Sequence, residues 1–350
     1  MNTVLSPEDI VSSLRNFQAI RKSTTTVNGL ELVRQDLEDE MKVAANLDTP
    51  LRNRFHRIEG NGKAHAYYKL VSNPGATQTN SKFLGTDPSA GFFAKGGLPD
   101  SKDPQYEYIS RPYANVGDVL TVAWQDEAQD RSYIDIKAQQ RKVKMTNVGL
   151  MEEWALINGD SSATGGLVFD GLLTQIQNDG FNIMDLSAGG GTAMKYSLFV
   201  QQCFAIKKQG GRVRAIVMSY AAKQALNTLL GLFYAIRQLG NAGPVTTGGY
   251  NFSTWDFGTG EVDLIDDQYM VPDATTTYEN LIFLDDKSQD DKNNGNAIEV
   301  VDVDKIQYVD LMAIQTAWRG IVYETSMLQI GITQFQGLIK GINLSLPVAL

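Results

Sequence analysis

Two strand-like segments of this chain, His65 to Val71 and Tyr106 to Trp124, are rich in Tyr, Val, Ile and Thr, and about 35 residues of turn chemistry separate them. Asn73-Pro74-Gly75, Asp87-Pro88, Gly96-Gly97, Pro99-Asp100 and Asp103-Pro104 punctuate that stretch. Connections inside a compact domain usually run to about 4 to 6 residues, so this one is not an ordinary loop. It is not purely polar either, since Phe83, Leu84, Phe92, Phe93 and Leu98 are spread along it. On a monomer, exposed aromatics of this kind invite aggregation, so the segment either folds back on its own core or is covered by another subunit. We take the second reading, and expect Phe83, Leu84, Phe92 and Phe93 to make contacts between subunits.

Composition narrows what the rest can be. The 350 residues, 43% hydrophobic and 20% charged, describe a globular chain of one or two structural units rather than a disordered one. The formal charge of −9 argues against a typical nucleic-acid binder, whose domain is usually net basic. A single cysteine, Cys203, excludes an internal disulfide framework and any zinc site built on several thiolates. His56 and His65, the two histidines, stand nine residues apart across an apparent boundary and read as unlinked. The start, MNTVLSPEDI, has no signal-peptide character, and no apolar run approaches the roughly 18 residues that span a bilayer. The expectation is a soluble, reduced, intracellular product with no membrane partner.

Residues 1 to 60 read as helical pieces. Ser6-Pro7-Glu8-Asp9 has the form of a helix start, Leu30 to Leu47 is amphipathic, and Thr49-Pro50 opens a third piece carrying Arg52, Arg54, His56 and Arg57. This basic cluster is either a solvated face or a contact for an anionic partner. Ser132 to Asn158 reads as one long helix, with Ile134, Ala138, Met145, Val148, Met151 and Ala155 as its apolar stripe and Gly149 as a weak point. Lys137, Arg141, Lys142 and Lys144 form a second basic group there, open to the same two readings. Helical patterns at Tyr196 to Lys208 and Ala221 to Leu239 flank a short buried strand at Arg214 to Met218, which makes the chain α/β or α+β. Strand-like segments follow at Val262 to Ile265, Leu281 to Leu284, Ala297 to Val303, Ile321 to Ile330 and Leu338 to Leu346. Residues 256 to 310 hold 15 acids against three lysines, a net −12.

Familiar catalytic and binding motifs fail on geometry. The glycine-bearing turn at 159 to 166 lacks the Lys-Ser/Thr of a phosphate loop, and Gly189-Gly190-Gly191 does not match dinucleotide-binding spacing. Asp290, Asn294 and Gly295 fit three positions of a calcium loop, but Lys292 and Val301 occupy two others, and a hairpin turning at Asn293-Asn294-Gly295 explains the same residues. Cys203 lies among Phe199, Phe204 and Ile206, as a buried structural thiol would. No catalytic, cofactor-binding or metal-ligating residue is therefore assigned.

The order of the pieces says more. A helical arm and a long excursion lead to a long helix ending Trp154-Ala155-Leu156-Ile157-Asn158-Gly159-Asp160, followed by Phe169-Asp170-Gly171-Leu172-Leu173 and a closing stretch from Arg319 through Ile342. This order resembles the major capsid proteins of tailed bacteriophages, which have the HK-97-like fold. The resemblance implies an α+β chain divided into an N-terminal arm at 1–60, an extended loop with flanking strands at 61–131, a peripheral domain at 132–194 with its spine helix at 132–158, an axial domain at 195–310 and peripheral return strands at 311–350. It implies a structural protein that self-assembles as hexamers and pentamers into an icosahedral virion shell around packaged double-stranded DNA, built in the host cytoplasm. Portal and separate scaffolding proteins, and in some members a decoration protein, are the implied partners. Arg52, Arg54, Arg57, Lys137, Arg141, Lys142 and Lys144 are then the candidates to face DNA. Lys82 and Lys95 lie in the loop, but no cross-linking pair is carried over to them. Two other readings remain: an acidic carboxylate-using hydrolase with residues 64 to 124 as a lid, and another phage structural protein such as a tail-tube subunit.

Overall fold

The computed structural model describes residues 26–27, 30–31, 48–77, 84–85, 93–98, 105–124, 136–238, 252–270, 278–286, 297–314 and 317–347. Most of the N-terminal arm and the segment around Asp290 to Gly295 therefore lie outside the described residues.

β1, Thr26–Val27, pairs with β2, Leu30–Glu31, so Leu30 stands in a strand rather than opening a helix. The helix expected at Thr49-Pro50 is present as α1, Pro50–Arg54, with proline at the position where its missing N–H costs nothing. It is only five residues long, because the chain extends at once into β3, His56–Glu59. β4, Ala64–Thr77, β5, Leu84–Gly85, and β6, Gln105–Pro112, make a three-stranded ribbon. The chain breaks at Tyr113 and continues as β7, Ala114–Ala123, so the strand-like run from Tyr106 to Trp124 is two strands belonging to two different sheets.

α2, Ile136–Asn158, is the long helix, with residues 132–135 outside the description. Gly149 does not interrupt it; the glycine is buried, and a Cβ there would stand 3.9 Å from the Arg52 Cδ. The expected apolar stripe is partly wrong. Ala138 and Met151 are exposed, and the buried face consists of Val148, Gly149, Glu152, Glu153, Ala155, Leu156 and Ile157. At the end of α2, backbone packs on backbone: a Cβ on Gly159 would fall 2.2 Å from the Phe169 carbonyl oxygen, and one on Gly171 would fall 2.5 Å from that of Ala155. The Gly171 N–H donates to the Gly159 carbonyl at 2.9 Å, which gives the two glycines of the Asn-Gly-Asp and Phe-Asp-Gly segments their physical reason. α3, Leu172–Asp179, starts there and ends at Gly180 in the left-handed region.

β8, Ile183–Asp185, α4, Tyr196–Lys208, β9, Ala215–Met218, and α5, Tyr220–Gln238, follow. Next come β10, Thr254–Asp256, β11, Glu261–Asp266, β12, Glu279–Leu284, β13, Ile298–Ile314, β14, Ala317–Ile330, and β15, Gly337–Ile342. Six strands form one sheet in the order β10-β11-β9-β12-β15-β8, and four form another in the order β3-β13-β14-β7. The six-stranded sheet is covered on both faces, which is why its central strands read as unbroken apolar runs. Ala215, Val217, Ile282, Leu284 and Leu338 point to a core shared with α2, α3 and the four-stranded sheet. Ile216, Met218, Leu281, Phe283 and Ile339 point to a second core under α4 and α5, where Phe199 stacks on Phe257 at 5.3 Å.

One expectation changes here, and another falls outside the described residues. β12 lies in the six-stranded sheet and β13 in the four-stranded one, so these two strands do not pair with each other, and the hairpin turn expected at Asn293-Asn294-Gly295 lies outside the described residues. The boundary at 310 falls inside β13, whose register with β14 runs from Ile298 to Ile314, and the last strand, β15, returns to the six-stranded sheet between β12 and β8. Strand pairing over a long range decides these divisions, and a linear reading has no access to it.

Candidate assembly arm and buried charge cluster

The ribbon of β4 and β6 projects as an arm. Fourteen residues of β4 span about 45 Å at roughly 3.3 Å each. Tyr67 lies opposite Ile109, and Tyr68 opposite Tyr108. Because side chains alternate, one face presents Tyr68, Tyr106 and Tyr108, which are 73%, 63% and 61% exposed, with the Tyr68 and Tyr108 rings edge to face at 5.5 Å. The other face, with His65 and Tyr67 stacked at 6.1 Å, turns toward the body of the chain. Arg111 anchors the base of the arm to Asp170 at 3.0 Å, and the Tyr67 hydroxyl reaches the Ile330 carbonyl at 3.5 Å. Beyond it, a turn closed by the Gly97 N–H on the Ala94 carbonyl carries Phe93 and Leu98, 58% and 91% exposed. Lys95 is exposed in the same turn. Phe83 and Phe92 lie outside the described residues, and Leu84 is placed only as part of β5. The tyrosines were missed as a group; their alternation in the two strands was the available signal.

The basic residues of 52 to 57 have a different fate from either sequence reading. Their anionic partner is internal. Arg57 donates through Nη1 to Asp302 and to Glu324 at 2.7 Å, and through Nη2 to both Glu152 oxygens at 2.6 and 2.7 Å. Arg52 bonds Glu152 through Nε and approaches Glu324 at 3.4 Å. Arg54 bridges Asp263 and Asp286, each at 2.7 Å. Glu153 accepts the backbone N–H groups of Leu51 and Arg52, both at 2.7 Å, which fixes the first turn of α1 against α2. Glu152, Asp302 and Glu324 are almost fully buried and bring oxygens within 4.8 Å of one another, a spacing that could suit a cation. Two guanidinium groups already supply that positive charge.

Electrostatics follow from burial. Around Arg57, desolvation works against the charged form, but Glu152 and Asp302 outweigh it and hold the guanidinium more firmly protonated than usual. Burial, with the Glu152 charge beside it, pushes Glu324 up to about 7. Burial, together with a hydrogen bond to Asp267, pushes Glu153 up to about 8. Three carboxylates against two guanidiniums leave an unbalanced buried charge, which a proton on Glu324 removes only below about pH 7.

The basic residues of α2 also face their own chain. Lys137 lies over the Trp318 ring at 4.2 Å, Arg141 over Tyr308 at 4.1 Å, and Lys144 pairs with Asp118 at 2.9 Å, while Lys142 is exposed. His56 stands 3.6 Å from Glu299 and has no part in the arm. Cys203 is buried, and burial pushes its thiol up to about 12, which suits a packing role.

Solved structures share this architecture. The capsid of a native GTA particle matches with a TM-score of 0.62 at 13% identity, covering 92% of this chain and 99% of that one. The cyanophage A-1(L) capsid matches at 0.61 and 12% identity, over 89% and 97%. An encapsulin complex from Synechococcus elongatus PCC 7942 matches at 0.57 and 11% identity, over 91% and 99%. No curated protein matches the chain in sequence. The fold is therefore the HK-97-like fold of shell-forming proteins, in agreement with the resemblance read from the order of pieces. Phage capsids and an encapsulin share it, so the fold alone does not choose between them. The family model for the SU10 major capsid protein matches residues 20–307, and the chain belongs to that family. It is a phage capsid shell protein, and neither a carboxylate hydrolase nor a tail-tube subunit is favoured.

Proposed function

We propose that the arm of β4 and β6 lies on a neighbouring subunit, with its tyrosine face and the Phe93 turn buried there, and that these contacts join subunits into hexamers and pentamers of an icosahedral shell. The observation that carries this is the alternation of the arm: one face is half-covered by its own chain, while Tyr68, Tyr106 and Tyr108 on the other stay largely exposed. Burying each large ring contributes about 1.5 to 3 kcal/mol, repeated at every equivalent position. The six-stranded sheet with α4 and α5 corresponds to the axial domain, and the four-stranded sheet with α2 to the peripheral domain. The subunit acts as a structural protein rather than an enzyme, assembled in the host cytoplasm with separate scaffolding and portal proteins and, in some shells, a decoration protein. Packaged double-stranded DNA meets the shell non-specifically, and Lys142, which is exposed on α2, is the candidate there to meet phosphate.

The test pairs folding with assembly. Phe93→Ser with Tyr108→Ser should leave thermal unfolding of the subunit nearly unchanged and reduce sedimenting shells, and Lys142→Glu should leave shell yield intact and lower DNA retention at rising salt. Loss of folding in the first variant, without a separate assembly defect, would return these rings to the subunit's own core.

A further inference from the structure

We propose that a basic concavity at the C-terminal end of α4 binds a phosphate group. Lys207, Gly210, Gly211, Arg212, Arg214 and Thr259 line it, and its volume is about 560 Å³. The local sequence builds it. α4 ends in Lys207-Lys208, and Gly210, at φ 100°, turns the chain so that Arg212 and Arg214 come back toward the helix end. A Cβ on Gly260 would stand 2.7 Å from Nη2 of Arg212, so only glycine there leaves room for the guanidinium in its present position.

The charge balance favours an anion. Arg214 faces Asp285 at 3.4 Å, and that buried carboxyl also accepts the Arg212 backbone N–H at 2.8 Å, so Asp285 is matched by one cation. Asp256 is engaged with its own turn, accepting the N–H groups of Gly258 and Gly260. Among the described residues, the side chains of Lys207 and Arg212 enter no ion pair. Lysines at a helix C-terminus offset the helix dipole, which accounts for Lys207 and Lys208 but not for Arg212 on the facing wall. A guanidinium fork and an ammonium point charge across an open hollow are the donors that phosphate oxygens take. Thr259 also lines it, its buried hydroxyl near the weakly polar Cys203 thiol. The hollow is wide enough for free phosphate or for one phosphate of a polynucleotide backbone, and the two sources share this chemistry.

The test uses the full chain, as subunit and as shells. Inorganic phosphate, titrated at constant ionic strength and followed by phosphorus NMR line width, should bind, and Arg212→Gln should weaken it about tenfold or more, the effect of losing a charge-assisted hydrogen bond. Arg212→Lys should fall between them. A short mixed-sequence DNA duplex, followed by fluorescence anisotropy across salt, tests the polynucleotide source. Lys207→Gln with Arg212→Gln should then flatten the logarithmic salt dependence by about two. Phosphate binding without duplex binding supports the site with free phosphate as its ligand. Absence of both, or binding unchanged in the variants, overturns the proposal. Loss of shell formation in the double variant without any change in phosphate binding overturns it too, and assigns the patch to carboxylates of a second copy of the chain. Shell formation by the unaltered chain is scored separately, so failure here leaves the capsid reading standing.

Discussion

Arg57 is the single side chain on which the buried cluster turns, because it alone bonds all three of Glu152, Asp302 and Glu324. Removing one member of a buried ion cluster strands its partners in a medium that cannot solvate them. Arg57→Ala should therefore cost about 3 to 5 kcal/mol in urea or thermal unfolding, and Arg57→Lys should recover only part of that, since an ammonium cannot serve three carboxylates through a planar fork. A loss under about 1 kcal/mol would show that protonation of the carboxylates compensates. The sequence showed that Arg52, Arg54 and Arg57 were clustered, but not what they faced. Their partners lie about 100 to 270 positions away, and an acid is chosen from 40 only by the fold. One signal was present and unused: Glu152 and Glu153 interrupt the apolar positions Val148, Ala155 and Leu156 of a helix, and charges on a buried face need counter-charges.

Among the elements, α2 joins two kinds of contact. Its first half lays basic side chains on the rings and carboxylate of the four-stranded sheet, and its second half carries the buried glutamates. Glu153 faces Asp267 and the backbone of Leu51 and Arg52, with Tyr269 nearby. The folded chain keeps protons on Glu153 up to about 8, on Glu324 up to about 7 and on Asp285 up to about 6, whereas an unfolded carboxyl releases its proton near 4. The folded state thus binds more protons, and stability falls as pH rises from about 4.5 to 8, by about 1.4 kcal/mol for each unit of pKa difference. Melting temperature measured across that range should decline, and Glu153→Gln, which stays neutral, should flatten its upper part. A slope identical in the variant would remove Glu153 from the account. Elements with a strong period of their own were legible: Tyr196 to Lys208 is α4 to the residue, the long helix ends at Asn158 as expected, the buried strand expected at Arg214 to Met218 is Ala215–Met218, and the Pro50 helix start stands where the pattern put it. Pairing was not legible, which is why Tyr106 to Trp124 read as one strand although β6 and β7 belong to different sheets.

For the molecule as a whole, the arm is the part with least support from its own chain. Its β4 to β6 hydrogen bonds have solvent over the tyrosine face, so amide exchange at Tyr68, Tyr106 and Tyr108 should be fast in free subunits and slow in shells. Equal protection in both would mean that assembly does not cover this face. The body of the chain carries a different consequence, one of timing during synthesis. β3 pairs with residues 299 to 302, Arg52 and Arg57 close on Glu324, and β15 fills the gap between β12 and β8 only once residue 342 exists. A ribosome therefore releases residues through Ile342 before the six-stranded sheet can be completed, and a product stopped before residue 324 lacks both an inner strand of that sheet and the acid that Arg57 needs. Such fragments cannot present a finished body beneath the arm, so a lattice that must repeat one shape many times is supplied only by finished copies.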